Sequence, residues 1–437
     1  MNGFMIAAPA SGAGKTTLTL GLLRALKRRG KALAPVKAGP DYIDPAYHKA
    51  ASGADCFNLD PWAMRPELIS AISSRMTEGN KLLVVEAMMG LFDGALDGKG
   101  SSADLAQSLD LPVVLVVDCA RQSHSVAALI SGFSQFRKNV LIAGVILNRV
   151  GSGRHETMLR DAIKPLGVAV LGAIARDEAL VLPSRHLGLV QAGEHADLER
   201  FLEHAADVID ARIDLSALEH IWSQPKHHEA MANVQRLAPL GNRIAVARDD
   251  AFSFAYAHLL AGWRRRGAEL SFFSPLADEA PDENADAVYL PGGYPELYAG
   301  KLVASKNFQQ SMRRAADRGV HIYGECGGYM VLGETLEDAQ SLTYPMLGLL
   351  PLQTSFAKRK MHLGYRKLQP LPGSPWQVPL LAHEFHYASI ICEGKAERLF
   401  RVNDALGETL GEAGLRVGSV AGSFMHVIDF SGENACK

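Results

Sequence analysis

The chain has 437 residues, more than one hydrophobic core usually holds, so two α/β domains of about 200 residues each are expected. Hydrophobic residues make up 48% and charged residues 21%, with no apolar run near the ~20 residues of a membrane-spanning helix. With 45 basic against 47 acidic side chains, the net charge of −2 gives no reason to propose a nucleic acid or an anionic membrane as partner.

Gly3 to Ala8 reads as a first buried strand rather than a secretory leader, and the five cysteines are scattered without a Cys-x-x-Cys pair. Neither a disulfide framework nor a zinc site is suggested, and a reducing cytoplasm is the expected location. Candidate strands near 3–8, 32–37, 82–86, 113–118, 140–147 and 168–173 alternate with helical patterns, which implies a parallel sheet flanked by helices.

Directly after the first strand comes Ala8-Pro9-Ala10-Ser11-Gly12-Ala13-Gly14-Lys15-Thr16-Thr17, followed by an amphipathic helix. This reads as a phosphate-binding loop, with Ser11, Gly12, Gly14, Lys15, Thr16 and Thr17 as the nucleotide contacts. Glycines let backbone N–H groups turn towards phosphate oxygens, Lys15 reaches the outer phosphates, and the Thr16 hydroxyl suits magnesium. Pro9 stands where the common pattern begins with glycine.

Carboxylates then gather at the C-terminal ends of strands, where open α/β sheets bind ligands. Asp41 and Asp44 lie in Gly39-Pro40-Asp41-Tyr42-Ile43-Asp44-Pro45, Glu86 ends Leu82-Leu83-Val84-Val85, and Asp93 lies in Gly90-Leu91-Phe92-Asp93-Gly94. Glu86 and Asp41, with Thr16, are candidate magnesium ligands, while Asp44 and Asp93 are candidates for positioning a substrate or intermediate. Aspartate beside proline or glycine is also a common turn-former, so that reading stays open for all three. Asn148, ending another strand, is a candidate adenine contact, and Asp118, also at a strand end, is as readily a cap as a ligand contact.

The pattern lapses between about Leu215 and Asn242, giving a first domain over 1–220, a linker over 221–242 and a second domain over 243–437. Strands near 243–248, 269–273, 286–290 and 320–324 make the second domain α/β as well. Tyr323-Gly324-Glu325-Cys326-Gly327-Gly328 places a cysteine between small residues after a strand, a nucleophile elbow. A helix N-terminus beyond it is expected to lower the thiol below ~8.5. His426 is the candidate base, and Gly292 and Gly293 in Pro291-Gly292-Gly293-Tyr294-Pro295-Glu296 are suited to an oxyanion hole. His383-Glu384-Phe385-His386-Tyr387 lacks the spacing of a helical zinc site, so no metal is assigned there.

Taken together, these segments resemble the cobyrinic and hydrogenobyrinic acid a,c-diamide synthase family over essentially the whole chain. The resemblance implies a dethiobiotin-synthetase-like ATPase domain joined to a class I glutamine amidotransferase domain, with Cys326 as nucleophile and His426 as its base. It implies ATP and Mg2+, a corrin polycarboxylate and L-glutamine as partners, and it leaves room for a homodimer. The reaction implied is amidation of the a and c acetate groups through acyl phosphates, with the cobalt-free ring favoured. The cobalt-bearing ring, amidation of other side chains as in cobyric acid synthase, and a regulatory ATPase without amidation are the alternatives. Class I amidotransferases carry a glutamate two residues after the histidine, where this chain has Ile428, so a Cys-His dyad is expected.

Overall fold

The computed structural model describes residues 2–185, 188–222 and 234–432, which divide into two compact units. The first comprises Met1–Trp62 and Pro66–Val234, the second Ala63–Arg65 and Gln235–Lys437. The polar core of the expected linker, including Gln224 and Pro225, lies outside the described residues.

In the first unit, seven parallel strands run in the order β3-β2-β4-β1-β5-β6-β7. They are β1 (Gly3–Ala7), β2 (Leu33–Ala38), β3 (Phe57–Leu59), β4 (Leu82–Glu86), β5 (Val113–Asp118), β6 (Ile142–Val150) and β7 (Ala169–Ala175). The central strand β1 reads Gly-Phe-Met-Ile-Ala and is buried along its whole length, as a parallel strand covered on both faces requires. Helix α1 (Lys15–Arg28) follows β1 through a loop in which Gly12 and Gly14 have φ of 81° and 93°, a conformation side chains rarely adopt. Helix α2 (Asp44–Ser52) follows β2. Strands β2 and β4 pair so that Lys37 lies beside Glu86, which sets two opposite charges at adjacent strand ends. The short strand β3 is the one element of this sheet that the apolar runs did not announce, because three residues carry no period.

The second unit holds a ten-stranded sheet made of two parts. Its parallel part comprises β8 (Arg243–Ala247), β9 (Glu269–Phe273), β10 (Ala287–Leu290), β11 (His321–Glu325) and, entering from much later in the chain, β16 (Val420–Ser423). The antiparallel part comprises β12 (His362–Pro370), β13 (Leu380–His386), β14 (Glu397–Asn403), β15 (Thr409–Val417) and β17 (Met425–Phe430). The full order is β9-β8-β10-β11-β16-β15-β14-β12-β13-β17. Only Phe424 separates β16 from β17, yet β16 pairs with β11 and β15 while β17 pairs with β13. The antiparallel run therefore curls back on itself until its two ends meet at one residue. A helix, α3 (Gly327–Leu332), starts directly beyond β11. No helix among the described residues is long and apolar enough to cross a membrane.

Candidate functional site

In the first unit, the phosphate loop and the ends of β2 and β4 meet in a buried network. The Thr16 hydroxyl donates to Glu86 Oε1 at 2.6 Å, and the Lys37 ammonium donates to Glu86 Oε1 at 2.7 Å and to Asp44 Oδ2 at 2.5 Å. His48 Nε2 stands 2.6 Å from Glu86 Oε2, with Cys56 Sγ 3.4 Å from its other ring nitrogen. Glu86 and His48 have no solvent exposure. Burial raises the Glu86 carboxyl, but Lys37 and His48 pull it well below the usual carboxylate range. For Lys37 burial lowers the ammonium, and Asp44 and Glu86 more than restore it. His48 is pulled up to about 10, its contacts with Cys56 and Glu86 outweighing burial. Lys37, Glu86 and His48 are thus fixed charges of both signs, while burial and the nearby Asp41 raise Asp44 to about 6.

Lys15 donates to the Met89 carbonyl at 2.5 Å, and burial lowers its pKa. Thr17 donates to the Leu180 carbonyl, while Ser11 and Gly12 are exposed at the crest of the loop. Asn148 donates to the Ala13 carbonyl at 2.8 Å, bracing the loop from beneath, and a methyl group at Gly14 would stand 2.3 Å from its Nδ2. Asp93 accepts from the Gly90 N–H, which shapes the loop after β4. Asp41 Oδ1 accepts from the N–H groups of Ile43 and Asp44, so this side chain fixes the entry to α2. Asp118 pairs with Arg149. Thr16 and Glu86 bring to the loop hard oxygen donors of the kind magnesium takes, and to ligate that ion Glu86 would exchange one of its bonds to Thr16, Lys37 or His48.

The second unit brings Cys326, His426, Gly292 and Gly293 together. Cys326 has φ 48° and ψ −104°, a strained conformation for a residue with a Cβ, held by its N–H donating to the Ser423 carbonyl at 2.8 Å. A methyl group at Gly292 would lie 2.4 Å from His426 Cε1 and 3.2 Å from Cys326 Cβ, so both side chains crowd this one backbone position. One at Gly327 would meet the Gly293 nitrogen at 2.9 Å, which sets that peptide beside the elbow. His426 comes from β17, directly across from His383 on β13.

Here the electrostatics depart from the expectation that a helix end lowers the thiol. Burial pushes the Cys326 thiol far above its ordinary range, and Glu296 adds to this against the favourable Gly327 N–H. Helix α3 spans only six residues and cannot offset complete desolvation. Burial also lowers His426 well below the ordinary value, helped by His383 and His386. The resting pair is a neutral thiol beside a neutral imidazole.

Along β13, Glu384 is bonded by Arg366 at 2.7 Å and by His386 at 3.1 Å. His362, Glu384 and His386 place one ligand atom each within 4.8 Å of one another, with the two imidazoles stacked at 9°. Parallel rings direct their lone pairs side by side rather than at one point, which suits stacking better than metal ligation. Sequence reasoning passed over Lys37, His48 and Glu325. A charged residue inside an otherwise apolar strand was the available signal for Lys37.

Residues 4–190 match a family described as the CobQ/CobB/MinD/ParA nucleotide binding domain, and residues 243–434 one described as a CobB/CobQ-like glutamine amidotransferase domain. The chain is similar to a hydrogenobyrinate a,c-diamide synthase of Brucella anthropi, with 77% identity over 436 residues covering 100% of both chains. A protein of the same name from Brucella abortus is 77% identical with the same coverage. Another from a Sinorhizobium species is 62% identical over 432 residues, covering 99% of this chain and 100% of the relative.

Proposed function

The chain belongs to the hydrogenobyrinate a,c-diamide synthase family, and on that premise we propose that it converts the a and c acetate carboxylates of hydrogenobyrinic acid to amides, using ATP and glutamine. The observation that carries this reading is the crowding of Cys326 and His426 around Gly292 in a chain whose residues 4–190 match a nucleotide binding domain. A working division assigns ATP use and amidation to 1–220 and glutamine hydrolysis to 243–437, with 221–242 between them.

A carboxylate is a poor electrophile, and ammonia set free in water is protonated and lost. In the first unit, the loop N–H groups and Lys15 hold the ATP phosphates, and Lys37 offers a permanent cation beside them. Thr16 and Glu86, with Asp41 as a further oxygen donor, would hold magnesium, which when bound neutralises phosphate charge. A substrate carboxylate oxygen attacks the γ-phosphorus, ADP leaves, and an acyl phosphate remains. Asp44 and Asp93 position this intermediate.

In the second unit, glutamine displaces water from the pocket and the Cys326 proton passes to His426. The sulfur then attacks the amide carbon, whose oxyanion is met by N–H groups around Gly292 and Gly293. The proton leaves with ammonia, and water hydrolyses the thioester to glutamate. Ammonia attacks the acyl phosphate, expelling inorganic phosphate and leaving the amide.

The test is mass analysis of the corrin after incubation with Mg-ATP, glutamine and either hydrogenobyrinic or cobyrinic acid. Two carboxylate-to-amide conversions on the metal-free ring are expected. Conversion of the cobalt ring alone would overturn the substrate assignment, and no amidation of either under ATP-hydrolysing conditions would overturn the reaction.

A further inference from the structure

We propose that Glu325, the residue immediately before the nucleophile, is the carboxylate that orients His426. The proposal rests on Cys326 and His426 forming the glutaminase pair. Glu325 ends β11 and is 1% exposed. Its Oε2 stands 3.9 Å from His426 Nδ1 and accepts the Tyr289 hydroxyl at 2.7 Å. Its Oε1 accepts the Val427 N–H at 3.2 Å, the peptide that follows the histidine. One carboxylate thus grips the strand that carries His426 and faces its ring.

The neighbouring acids are engaged by other partners, although Glu384 also acts on His426 and favours its charged form. Two residues after the histidine the chain has apolar Ile428, the extra residue of a bulge against β13. That bulge in β17 sets Asp429 opposite Leu381, on the face of His383 and His426, but its carboxylate is engaged by Arg65 at 2.9 Å. Glu384 is held by Arg366 and His386.

A base that must take the thiol proton on Nε2 needs its Nδ1–H directed at an acceptor, and a carboxylate beside it matches the imidazolium that forms once that carboxyl has lost its own proton. Glu325 lacks only a closure of about 1 Å to accept that hydrogen bond. Its position also links the two groups of the pair, because a residue adjacent to Cys326 in sequence reaches the partner that Cys326 meets only through the fold. Glu325 is a positioning residue, since it acts through His426 and does not touch the reacting atoms.

The experiment compares Glu325→Gln and Cys326→Ala with the unaltered full chain, each supplied with Mg-ATP, hydrogenobyrinic acid and either glutamine or ammonium. Glutamine keeps the shape of the side chain and an oxygen that accepts a hydrogen bond, but not the charge. Measured above pH 8, where Glu325 is ionised, the expected result is a fall in glutaminase kcat of about 100-fold or more with KM for glutamine within about threefold, and unchanged ammonium-supported amidation. Glu325→Ala regaining activity with added formate, but not with formamide, is the expected rescue. Glutaminase kcat of Glu325→Gln within about threefold of the unaltered chain overturns the proposal. So does a parallel loss of glutamine- and ammonium-supported amidation, which marks a general structural defect. Cys326→Ala separates the levels: if it retains glutaminase activity the pair itself is wrong, whereas if it loses activity and Glu325→Gln does not, only the role of Glu325 fails.

Discussion

The two candidate sites solve the burial of ionisable groups in opposite ways. In the first unit, Lys37, Glu86 and His48 are buried together and hold one another in charged form through bonds of 2.6–2.7 Å, while burial and the nearby Asp41 raise Asp44 to about 6. In the second, Cys326 and His426 are buried among groups that raise the one and lower the other, so both rest neutral. Fixed charge suits a site that meets polyanionic phosphates, because it needs no reorganisation when the ligand arrives. A neutral resting pair suits a site that should release ammonia only when a substrate changes its surroundings.

The largest expected effect comes from breaking the charged network. Glu86→Gln leaves Lys37 and His48 without their shared anion, and losing one partner of a buried pair typically costs about 3–5 kcal/mol. Urea titration should show that loss, and amidation should fail with glutamine and ammonium alike. Next is Gly292→Ala, whose methyl group meets the His426 ring at 2.4 Å. It should lower glutaminase kcat by about 100-fold while sparing ammonium-supported amidation, as misplacement of a catalytic group by about 1 Å does. If both nitrogen sources suffered equally, the contrast between the units would dissolve.

The smallest effect concerns pH and stability. Burial pushes Glu325 up to about 8 from an ordinary 4.5. An acid whose folded pKa is raised binds protons more tightly when folded, so its contribution falls as pH rises past 4.5 and levels off near 8. Glu325→Gln should therefore gain Tm relative to the unaltered chain between those limits, measured by calorimetry at stepped pH. His48, pulled up to about 10, acts in a different window: its contribution is full below 6.5 and fades as pH rises through 10. A constant Tm difference from pH 5 to 8 would mean that Glu325 is not held in its raised state.

What the chain declares locally was legible. The phosphate loop, the strand end at Glu86 and the elbow at Cys326 each consist of neighbours in sequence, and the α/β class follows from apolar runs buried on both faces. Lys37 and His48 escaped because their meaning arises in the parallel register that sets Lys37 beside Glu86, which no spacing along the chain encodes. The antiparallel half of the second sheet was likewise invisible: Thr409–Val417 begins with four exposed residues and shows no alternation to read. The thiol was misjudged because desolvation is a property of the packed pocket, whereas a glycine-framed turn before a helix is visible in the sequence.

The curling sheet that joins its ends at Phe424 also imposes an order in time. The groups around the phosphate loop are in place by Leu180, within a sheet whose strands are close in sequence. His426 arrives on the last described strand, 100 residues after Cys326, and must find Leu380–His386 before it has a position at all. A chain emerging from the ribosome thus completes its nucleotide half while its thiol still lacks a partner. On the proposed assignment, hydrolysis of glutamine is then the last capability the chain acquires.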